Sequence, residues 1–393
     1  MDVNAPEDVD VLVVGGGIHG CGVAQAAAAA GYSVILLEQK NLAAGTSSRS
    51  SKLIHGGLRY LEGGQLRLVY ESLHERRLLL RLAPDLVHPV PFYIPVYRDT
   101  VRPTWMIGAG LSLYALLAGI TPLARFSVVP RRHWGGLDGL QLESLQTVFR
   151  YWDAQTDDAA LTRAVWHSAA SFDARLICPA TLVAADCAAN RVAVRYRQGD
   201  GEHELRAGML VNAAGPWVNA VLDRVTPVPS RFPVELVQGT HIVLPGHLER
   251  GIYYTEASDR RAVFVMPWRG RTLVGTTETA FTGDPAEVAP QPEEIAYLQA
   301  DYRRYFPDGD ATVLESFAGL RVLPAGGDTP FARSRETVLH VDHDRAPRLL
   351  SIYGGKLTGY RATAEKVLHY LTGILGPRSG GVSTRKLPLT AVD

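Results

Sequence analysis

Cysteine is scarce in this chain of 393 residues, and neither sign of charge is in excess. The three cysteines, Cys21, Cys178 and Cys187, are odd in number and lack CxxC spacing. This argues against a disulfide framework, a zinc site or other metal site, and a dithiol redox centre, and it favours a reducing compartment. Because 40 basic residues balance 40 acidic ones, the net charge does not predict nucleic acid as a partner.

A secretory leader and long uncharged runs are also missing, with one exception. Residues 1–8 are acidic and no basic segment precedes an apolar core, so we expect a cytoplasmic protein. The exception is residues 103–124, an uncharged segment between Arg102 and Arg125. A buried helix is the favoured interpretation, and the alternatives are a helix lying on the membrane and a membrane-spanning helix. A helix on the membrane would attach the protein peripherally to the inner face of the cytoplasmic membrane.

The first 38 residues predict a dinucleotide-binding βαβ unit. An apolar strand runs into the glycine motif GGGIHG at residues 15–20, a helix follows, and a second apolar run ends at Glu38. Gly17 lets the backbone approach a pyrophosphate at the helix N-terminus, and Gly20 lets the helix pack against the strand. The Glu38 carboxylate would accept hydrogen bonds from ribose hydroxyls and repel a 2′-phosphate. We therefore expect FAD or NAD rather than NADP.

Residues 45–61 are rich in serine and glycine and too polar for a core helix. Small hydroxyl side chains can hydrogen-bond phosphate oxygens and a flavin ring, and Gly56 and Gly57 let the main chain pass close to a flat cofactor. A solvated surface loop is the alternative interpretation of this composition.

These segments resemble the FAD-dependent glycerol-3-phosphate dehydrogenase family. The motifs that carry the resemblance cover nearly the whole chain in family order. They are TSS at 46–48, SKLIHGGLRYLE at 51–62, RPTWM at 102–106, VNAAGPWV at 211–218, GTHIV at 239–243, VFVMPW at 263–268, GTT at 275–277 and YGGKLTGYR at 353–361.

The resemblance implies an α/β fold with an FAD-binding Rossmann-like domain of the D-amino-acid-oxidase-like superfamily and an interleaved substrate domain with an antiparallel sheet. The FAD domain would comprise residues 1–75, 150–225 and 325–393, and the substrate domain residues 76–149 and 226–324. Residue patterns independently predict strands at 191–196, 239–244, 262–266 and 271–275, helices at 161–171 and 362–371, and a hairpin turn at 199–201.

The resemblance also assigns site residues. For FAD they are Gly15, Gly17, Ile18, Gly20, Glu38, Thr46, Ser47, Ser48, Ser51, Lys52, Leu53, His55, Gly56, Ala214, Gly215, Trp217, Gly355, Lys356, Leu357 and Thr358. For a phosphorylated substrate they are Arg59, Tyr60, Arg321, Arg335 and Lys356, although a two-residue shift would exchange Arg335 for Arg333. The catalytic candidates are His55, His241, Arg321 and Lys356.

The activity implied is oxidation of sn-glycerol 3-phosphate to dihydroxyacetone phosphate, with hydride transfer from C2 to flavin N5 and electrons passed to a quinone. His55 or His241 is the expected base because an unperturbed imidazole titrates near neutral pH, and Lys356 could replace them if burial neutralised it. The sequence gives no indication of the oligomeric state.

Three departures from the family pattern keep other functions open. Ala159 stands where an arginine usually follows the paired acids, Glu278 replaces an aspartate, and the chain ends at Asp393 where longer members continue into a helical domain. The alternatives are an enzyme for another phosphorylated polyol, sugar or lipid phosphate, an amine or amino-acid oxidase with oxygen as acceptor, and a flavoprotein that serves only as a scaffold.

Overall fold

The computed structural model describes residues 7–119, 121–325, 336–379 and 381–392. In these ranges the helices are α1 (Ile18–Ala29), α2 (Leu66–Leu82), α3 (Thr104–Ala118), α4 (Asp158–Ala170), α5 (Val218–Leu222), α6 (Pro292–Tyr305) and α7 (Tyr360–Leu375). The strands are β1 (Glu7–Val14), β2 (Val34–Leu37), β3 (Leu53–Ile54), β4 (Val87–Tyr97), β5 (Ser127–Val128), β6 (Leu145–Thr156), β7 (Arg175–Ile177), β8 (Thr181–Asp186), β9 (Val192–Gln198), β10 (Gly201–Asn212), β11 (Val225–Thr226), β12 (Val234–Leu244), β13 (Ile252–Glu256), β14 (Ala262–Trp268), β15 (Arg271–Gly275), β16 (Thr279–Phe281), β17 (Glu315–Pro324), β18 (Val338–Val341) and β19 (Leu349–Tyr353).

The first sheet joins strands from both ends and the middle of the chain, in the order β11-β8-β9-β10-β1-β2-β7, with β19 and then β18 attached to β10. The pairs that β1 forms with β10 and β2 are parallel, and so is the pair of β10 and β19. The carboxyl ends of these four strands therefore lie along one edge of the sheet. In open α/β sheets this edge is where ligands bind.

The core of this sheet has helices on one side. The helix α1 packs against α4 and α7, and its run of buried alanines from Ala26 to Ala29 permits a close approach. On the other side, β8 and β9 form an antiparallel meander with β10, and their apolar side chains contact Leu12 and Leu210. The expected βαβ unit and the hairpin turn at 199–201 are confirmed by this arrangement.

The second sheet is mostly antiparallel, in the order β16-β12-β15-β14-β13-β4-β6-β3, with β17 on β12 and β5 on β6. The exception is the pair of β13 and β4, which is parallel. The helix α6 covers part of one face, and α2 and α3 pack beside β4 and β6. The predicted combination of a Rossmann-like domain with a second, antiparallel sheet is confirmed.

The domain limits themselves stay a prediction. By sheet membership, β3 and β6 belong to the second sheet, although residues 53–54 and most of β6 fall in segments assigned to the FAD domain. Their side chains Ile54 and Ala154 also join the core around α1. The two sheets therefore share buried apolar contacts near the point where the chain crosses between them.

The favoured expectation of a buried helix at 103–124 is wrong. The helix α3 occupies Thr104–Ala118, and only Leu111, Tyr114 and Ala118 are buried on it. Trp105 is 71% exposed and Leu116 is 76% exposed. An uncharged composition does not reveal which face of a helix meets the protein, and here one narrow stripe makes the contact. Within the described ranges, no helix has the length and apolar character needed to cross a membrane.

Candidate active site

A long cavity opens at the carboxyl ends of β1, β2 and β10, where the glycine motif begins. Twelve of the residues predicted to bind the cofactor line it. They are Gly15, Gly17, Ile18, Glu38, Thr46, Ser47, Ala214, Gly215, Trp217, Gly355, Lys356 and Leu357. The chain segments that converge here are separated by more than three hundred residues in sequence, since the cavity runs from Val14 to Leu357.

The glycine motif makes the turn from β1 into α1 and leaves the helix N-terminus accessible from the cavity. Gly15 has φ +109°, and a Cβ there would lie 2.7 Å from the carbonyl oxygen of Ala213. A Cβ on Gly20 would overlap the carbonyl oxygen of Gly15. The amide of Ile18 donates to Ser47 Oγ at 2.9 Å. Backbone amides, a helix dipole and a serine hydroxyl thus face the same place, which fits a pyrophosphate.

Glu38 lies at the end of β2 beside this turn and is 9% exposed. Its two carboxylate oxygens accept hydrogen bonds from the amides of Gly16 and Lys40, both at 2.7 Å. These bonds orient the carboxylate toward the cavity wall, and each oxygen retains a second lone pair for a ribose hydroxyl. The donor set fits the adenosine half of a dinucleotide.

A second cavity adjoins the first, and the two share Thr46, Arg321 and Lys356 on their walls. The remaining predicted residues that line this second cavity are Ser51, Leu53, His55, Arg59, Tyr60, His241 and Thr358. The structure therefore brings the predicted substrate and catalytic residues together next to the nucleotide cavity. Arg335 and Arg333 lie outside the described residues.

Four predicted cofactor residues line neither cavity, namely Gly20, Ser48, Lys52 and Gly56. Lys52 is 4% exposed, and its Nζ is 2.7 Å from Asp158 Oδ1 and 2.6 Å from the carbonyl oxygen of Ser48. Asp158 also accepts from the amide and hydroxyl of Ser50. This buried ion pair ties the serine-rich loop to the start of α4. The Lys52 side chain therefore stabilises the loop conformation without lining either cavity.

Two arginines meet at one carboxylate in the second cavity. Arg321 Nη1 donates to Glu278 Oε1 at 2.5 Å, and Arg59 Nη2 lies 3.5 Å from the same oxygen. Arg321 Nη2 donates to the carbonyl oxygen of Thr277 at 2.8 Å. A Cβ on Gly239 would overlap Arg321 Nη2, so the glycine of the GTHIV motif makes room for this guanidinium.

The cations Arg59 and Lys356 both pack on Tyr60. The Lys356 Nζ lies 3.8 Å from the centre of the Tyr60 ring, and the Arg59 guanidinium carbon lies 5.3 Å from it. Sequence reasoning noted Glu278 only as a departure, yet its carboxylate stands between two of the cations. The extra methylene of glutamate relative to aspartate was the available signal.

Burial lowers the pKa of both predicted histidines. The pKa of His55 falls to about 3, through burial first and then the charges of Lys356, Arg59 and Arg76. The pKa of His241 also falls to about 3, through burial and then Lys52 and Arg321. The expectation that either imidazole titrates near neutral pH is therefore wrong for the free protein. Both rings are neutral at pH 7, and His241 Nε2 lies 2.9 Å from Ser51 Oγ.

His19 was missed by sequence reasoning, although it occupies a variable position of the glycine motif. It lines the nucleotide cavity, and burial lowers its pKa to about 4. Gly355, with φ +104°, passes so close to the ring that a Cβ there would overlap His19 Nε2. This contact joins the first βαβ unit to the loop that carries Lys356.

Comparison with known proteins identifies the class. The family model "FAD dependent oxidoreductase" (DAO) matches residues 10–361, and the chain belongs to that family. It is an FAD-dependent oxidoreductase, and FAD is its cofactor. The glycine turn, the accessible helix N-terminus and Glu38 are the parts of this chain that fit the adenosine diphosphate half of FAD.

The relatives narrow the class to proteins like the glycerol-3-phosphate dehydrogenases. The chain is 41% identical to glycerol-3-phosphate dehydrogenase of Pseudomonas aeruginosa, over 98% of this chain and 75% of that protein. It is 38% identical to D-erythritol 1-phosphate dehydrogenase of Brucella abortus, over 98% of this chain and 77% of that protein. The solved glycerol-3-phosphate dehydrogenase of Bacillus halodurans with FAD is 27% identical, with a TM-score of 0.73, over 97% of this chain and 68% of that one.

Proposed function

We propose that the protein oxidises a secondary alcohol of a phosphorylated polyol, with sn-glycerol 3-phosphate converted to dihydroxyacetone phosphate as the leading candidate and a quinone as electron acceptor. The observation that carries the proposal is the cluster of Arg59, Arg321 and Lys356 in the cavity that adjoins the nucleotide cavity. Guanidinium groups bind phosphate oxygens with paired hydrogen bonds, and the ammonium adds a point charge.

Two relatives named for different substrates support a phosphorylated polyol as the substrate class. One is named for glycerol 3-phosphate and the other for D-erythritol 1-phosphate. Both are phosphate monoesters of polyols, so the same cation cluster suits both. The preference for a three-carbon or a four-carbon substrate depends on the rest of the cavity wall, which includes Tyr254, Phe264 and Glu278.

The residues divide the work of the reaction as follows. Bound FAD supplies the acceptor for the two electrons and the hydrogen that leave the substrate carbon. Arg59 and Arg321 hold the phosphate, which fixes the position of the carbon chain. Lys356 stabilises negative charge that develops on the reacting oxygen. His55 or His241 is the proposed acceptor of the hydroxyl proton. With a pKa of about 3, either ring is unprotonated but only weakly basic at pH 7.

The low pKa of both histidines gives this assignment a pH signature. A base with a pKa of about 3 is already neutral throughout the range from pH 5.5 to 8. We expect neither histidine to contribute a rise in kcat/KM centred near pH 6.5, the ordinary histidine value. A rise caused by the second ionisation of the substrate phosphate, with a pKa of about 6, should persist in variants of both histidines. A rise there that disappeared in either the His55→Gln or the His241→Gln variant would contradict the neutral assignment for that residue.

The first experiment is an anaerobic absorbance spectrum of the FAD-loaded protein before and after addition of substrate. We expect sn-glycerol 3-phosphate or D-erythritol 1-phosphate to bleach the oxidised flavin band. Glycerol and erythritol, which lack the phosphate, serve as matched controls and leave the band unchanged. Bleaching by an amino acid but by neither phosphate ester would instead favour an amino-acid oxidase. Glycine oxidase of Geobacillus kaustophilus has a similar fold to this chain (18% identity, TM-score 0.72).

Quinone reduction implies contact with the membrane, and we propose that α3 makes it from the cytoplasmic side. Its exposed face presents Trp105, Met106 and Leu116, and Arg102 precedes the helix. Such a face can lie at the level of the lipid headgroups. The protein should sediment with anionic phospholipid vesicles, and the double variant Trp105→Ser/Leu116→Ser should remain in the supernatant. Equal sedimentation of both proteins would contradict the assignment to α3.

A further inference from the structure

Three buried polar side chains meet beneath the loop of residues 55–57, outside both cavities. Tyr114 on α3, Asp153 on β6 and Arg76 on α2 are 3%, 2% and 4% exposed. The Tyr114 hydroxyl lies 2.9 Å from Asp153 Oδ1 and 2.8 Å from Oδ2. Arg76 Nη1 donates to Asp153 and, at 2.8 Å, to the carbonyl oxygen of Trp152. Three separate elements thus contribute to one buried hydrogen-bonded group.

The free side of this group faces the loop backbone. The amide of Gly56 donates to the Tyr114 hydroxyl at 2.8 Å and lies 3.4 Å from Asp153 Oδ1. One residue earlier, the amide of His55 donates to Thr358 Oγ1 at 3.1 Å. Successive amides of the loop are therefore held by hydroxyls on opposite sides. A Cβ on Gly56 would overlap the Tyr114 hydroxyl, which shows how closely the backbone approaches it.

The residues on both sides of Gly56 line the second cavity. His55 precedes it, and Gly57, with φ +79°, leads into the short 3-10 helix Leu58–Leu61. That helix carries Arg59 and Tyr60. A shift of the Gly56 amide would therefore move the imidazole on one side and the guanidinium on the other.

Stability alone does not account for this arrangement. A buried ion pair costs desolvation, and packed apolar residues of similar size often serve a fold equally well. A buried amide at a bend, however, needs an acceptor at a fixed place, and a charged carboxylate behind a hydroxyl orients that hydroxyl.

We propose that Tyr114 and Asp153 are positioning residues that fix the Gly56 amide and, through it, His55 and Arg59 relative to the flavin. This positioning role requires bound FAD, but it does not depend on which substrate the enzyme oxidises. It also connects α3 to the loop of residues 55–57, because the Tyr114 hydroxyl on that helix accepts from the Gly56 amide.

The test uses the FAD-loaded protein and the variant Tyr114→Phe, which removes only the hydroxyl. We expect amide hydrogen exchange in a peptide spanning residues 53–60 to accelerate about fivefold, which is the factor expected when one ordinary hydrogen bond is lost. The FAD dissociation constant should rise by a similar factor, and the visible absorbance band of the bound flavin should change shape because its surroundings move.

The matched control is Tyr253→Phe. Tyr253 is fully buried, and its hydroxyl donates to Asp138 at 2.9 Å, in the core of the second sheet. We expect this variant to lower the melting temperature without altering loop exchange, FAD affinity or the flavin band. The inference is overturned if Tyr114→Phe behaves like the control, with a lower melting temperature and an unchanged loop.

Asp153→Asn, which keeps an acceptor for Tyr114 but removes the charge, should give a smaller change in the same direction. If that variant does not fold, Tyr114→Phe alone decides.

Discussion

At the scale of single residues, the cavity beside the nucleotide site is defined by how cations and one carboxylate share their hydrogen bonds. Arg321 is held by Glu278 and by the carbonyl oxygen of Thr277, so its guanidinium plane is fixed before any anion arrives. A guanidinium that is already oriented loses little side-chain entropy on binding.

This arrangement gives a direct prediction for Arg321→Ala. We expect KM for the phosphorylated substrate to rise about 10- to 150-fold, since one or two charge-assisted hydrogen bonds are lost. The control is Arg271→Ala on β15, a strand of the same sheet that pairs with β12 and β14. There the arginine pairs with Glu315 on the surface and is 44% exposed. Steady-state kinetics should leave the control within about twofold of the parent, as for surface ion pairs. An unchanged KM in Arg321→Ala would remove this arginine from the phosphate site.

Glu294 on α6 holds three threonines near Glu278, and its pKa makes the stability of the fold sensitive to acid. Burial alone would raise its pKa, but hydrogen bonds from Thr240, Thr277 and Thr279 outweigh burial and hold the pKa below the ordinary 4.5. A lowered carboxyl pKa contributes stability that is complete above the unfolded value and is lost as the pH falls through the folded value.

We therefore expect Glu294→Gln to lower the free energy of unfolding by about 1–3 kcal/mol at pH 7, with the difference shrinking below pH 4.5. Urea unfolding at several pH values measures it. Glu293→Gln changes the exposed neighbour on the same helix turn and should have little effect at any pH. A difference that grew toward acid would show that the sign is wrong.

At the scale of elements, the start of α4 holds the serine-rich loop in place. Asp157 caps the helix by accepting from the amide of Ala160 at 2.9 Å, and it pairs with Arg269 at 2.6 Å. The next residue, Asp158, holds Ser50 and Lys52. The N-terminus of one helix therefore fixes the loop that runs between the two cavities.

Replacing the cap should separate its two contributions. Asp157→Ala is expected to cost about 1 kcal/mol of unfolding free energy, the usual value for an N-cap. Asp157→Asn retains an N-cap acceptor and loses only the ion pair with Arg269, which is 72% exposed, so it should cost little. Thermal melts of both variants provide the measurement, and equal losses would mean that the ion pair rather than the cap stabilises α4.

The individual elements show which features of the protein could be predicted from its sequence. The glycine turn, α1 and Glu38 were predictable because they lie within one local βαβ unit. The meeting of Arg321 with Glu278 was not, because it depends on the pairing of β12 with β17, in which Val237 lies opposite Arg321. The exposed face of α3 was missed for a related reason. Its buried stripe is set by α2 and by the second sheet, neither of which is local to residues 104–118.

At the scale of the whole molecule, the nucleotide cavity is assembled from distant segments, so its occupant should hold them together. A ligand that binds only the folded state stabilises it by about 2.7 kcal/mol at a hundred times its dissociation constant. We expect saturating FAD to raise the melting temperature of the apoprotein by several degrees, and riboflavin or AMP alone to raise it less. A shift as large with riboflavin as with FAD would argue against the contribution of the glycine turn and Glu38.

The same discontinuity has a consequence for biosynthesis. The wall formed by β1 and Glu38 is made early, but β10 ends at Asn212 and the loop bearing Lys356 follows β19, which ends only at Tyr353. During translation, the nascent chain therefore carries a glycine turn and half a cavity long before it can retain a flavin. Retention of FAD therefore requires synthesis to have passed Leu357, so the amino-terminal βαβ unit alone does not complete the cavity that holds the cofactor.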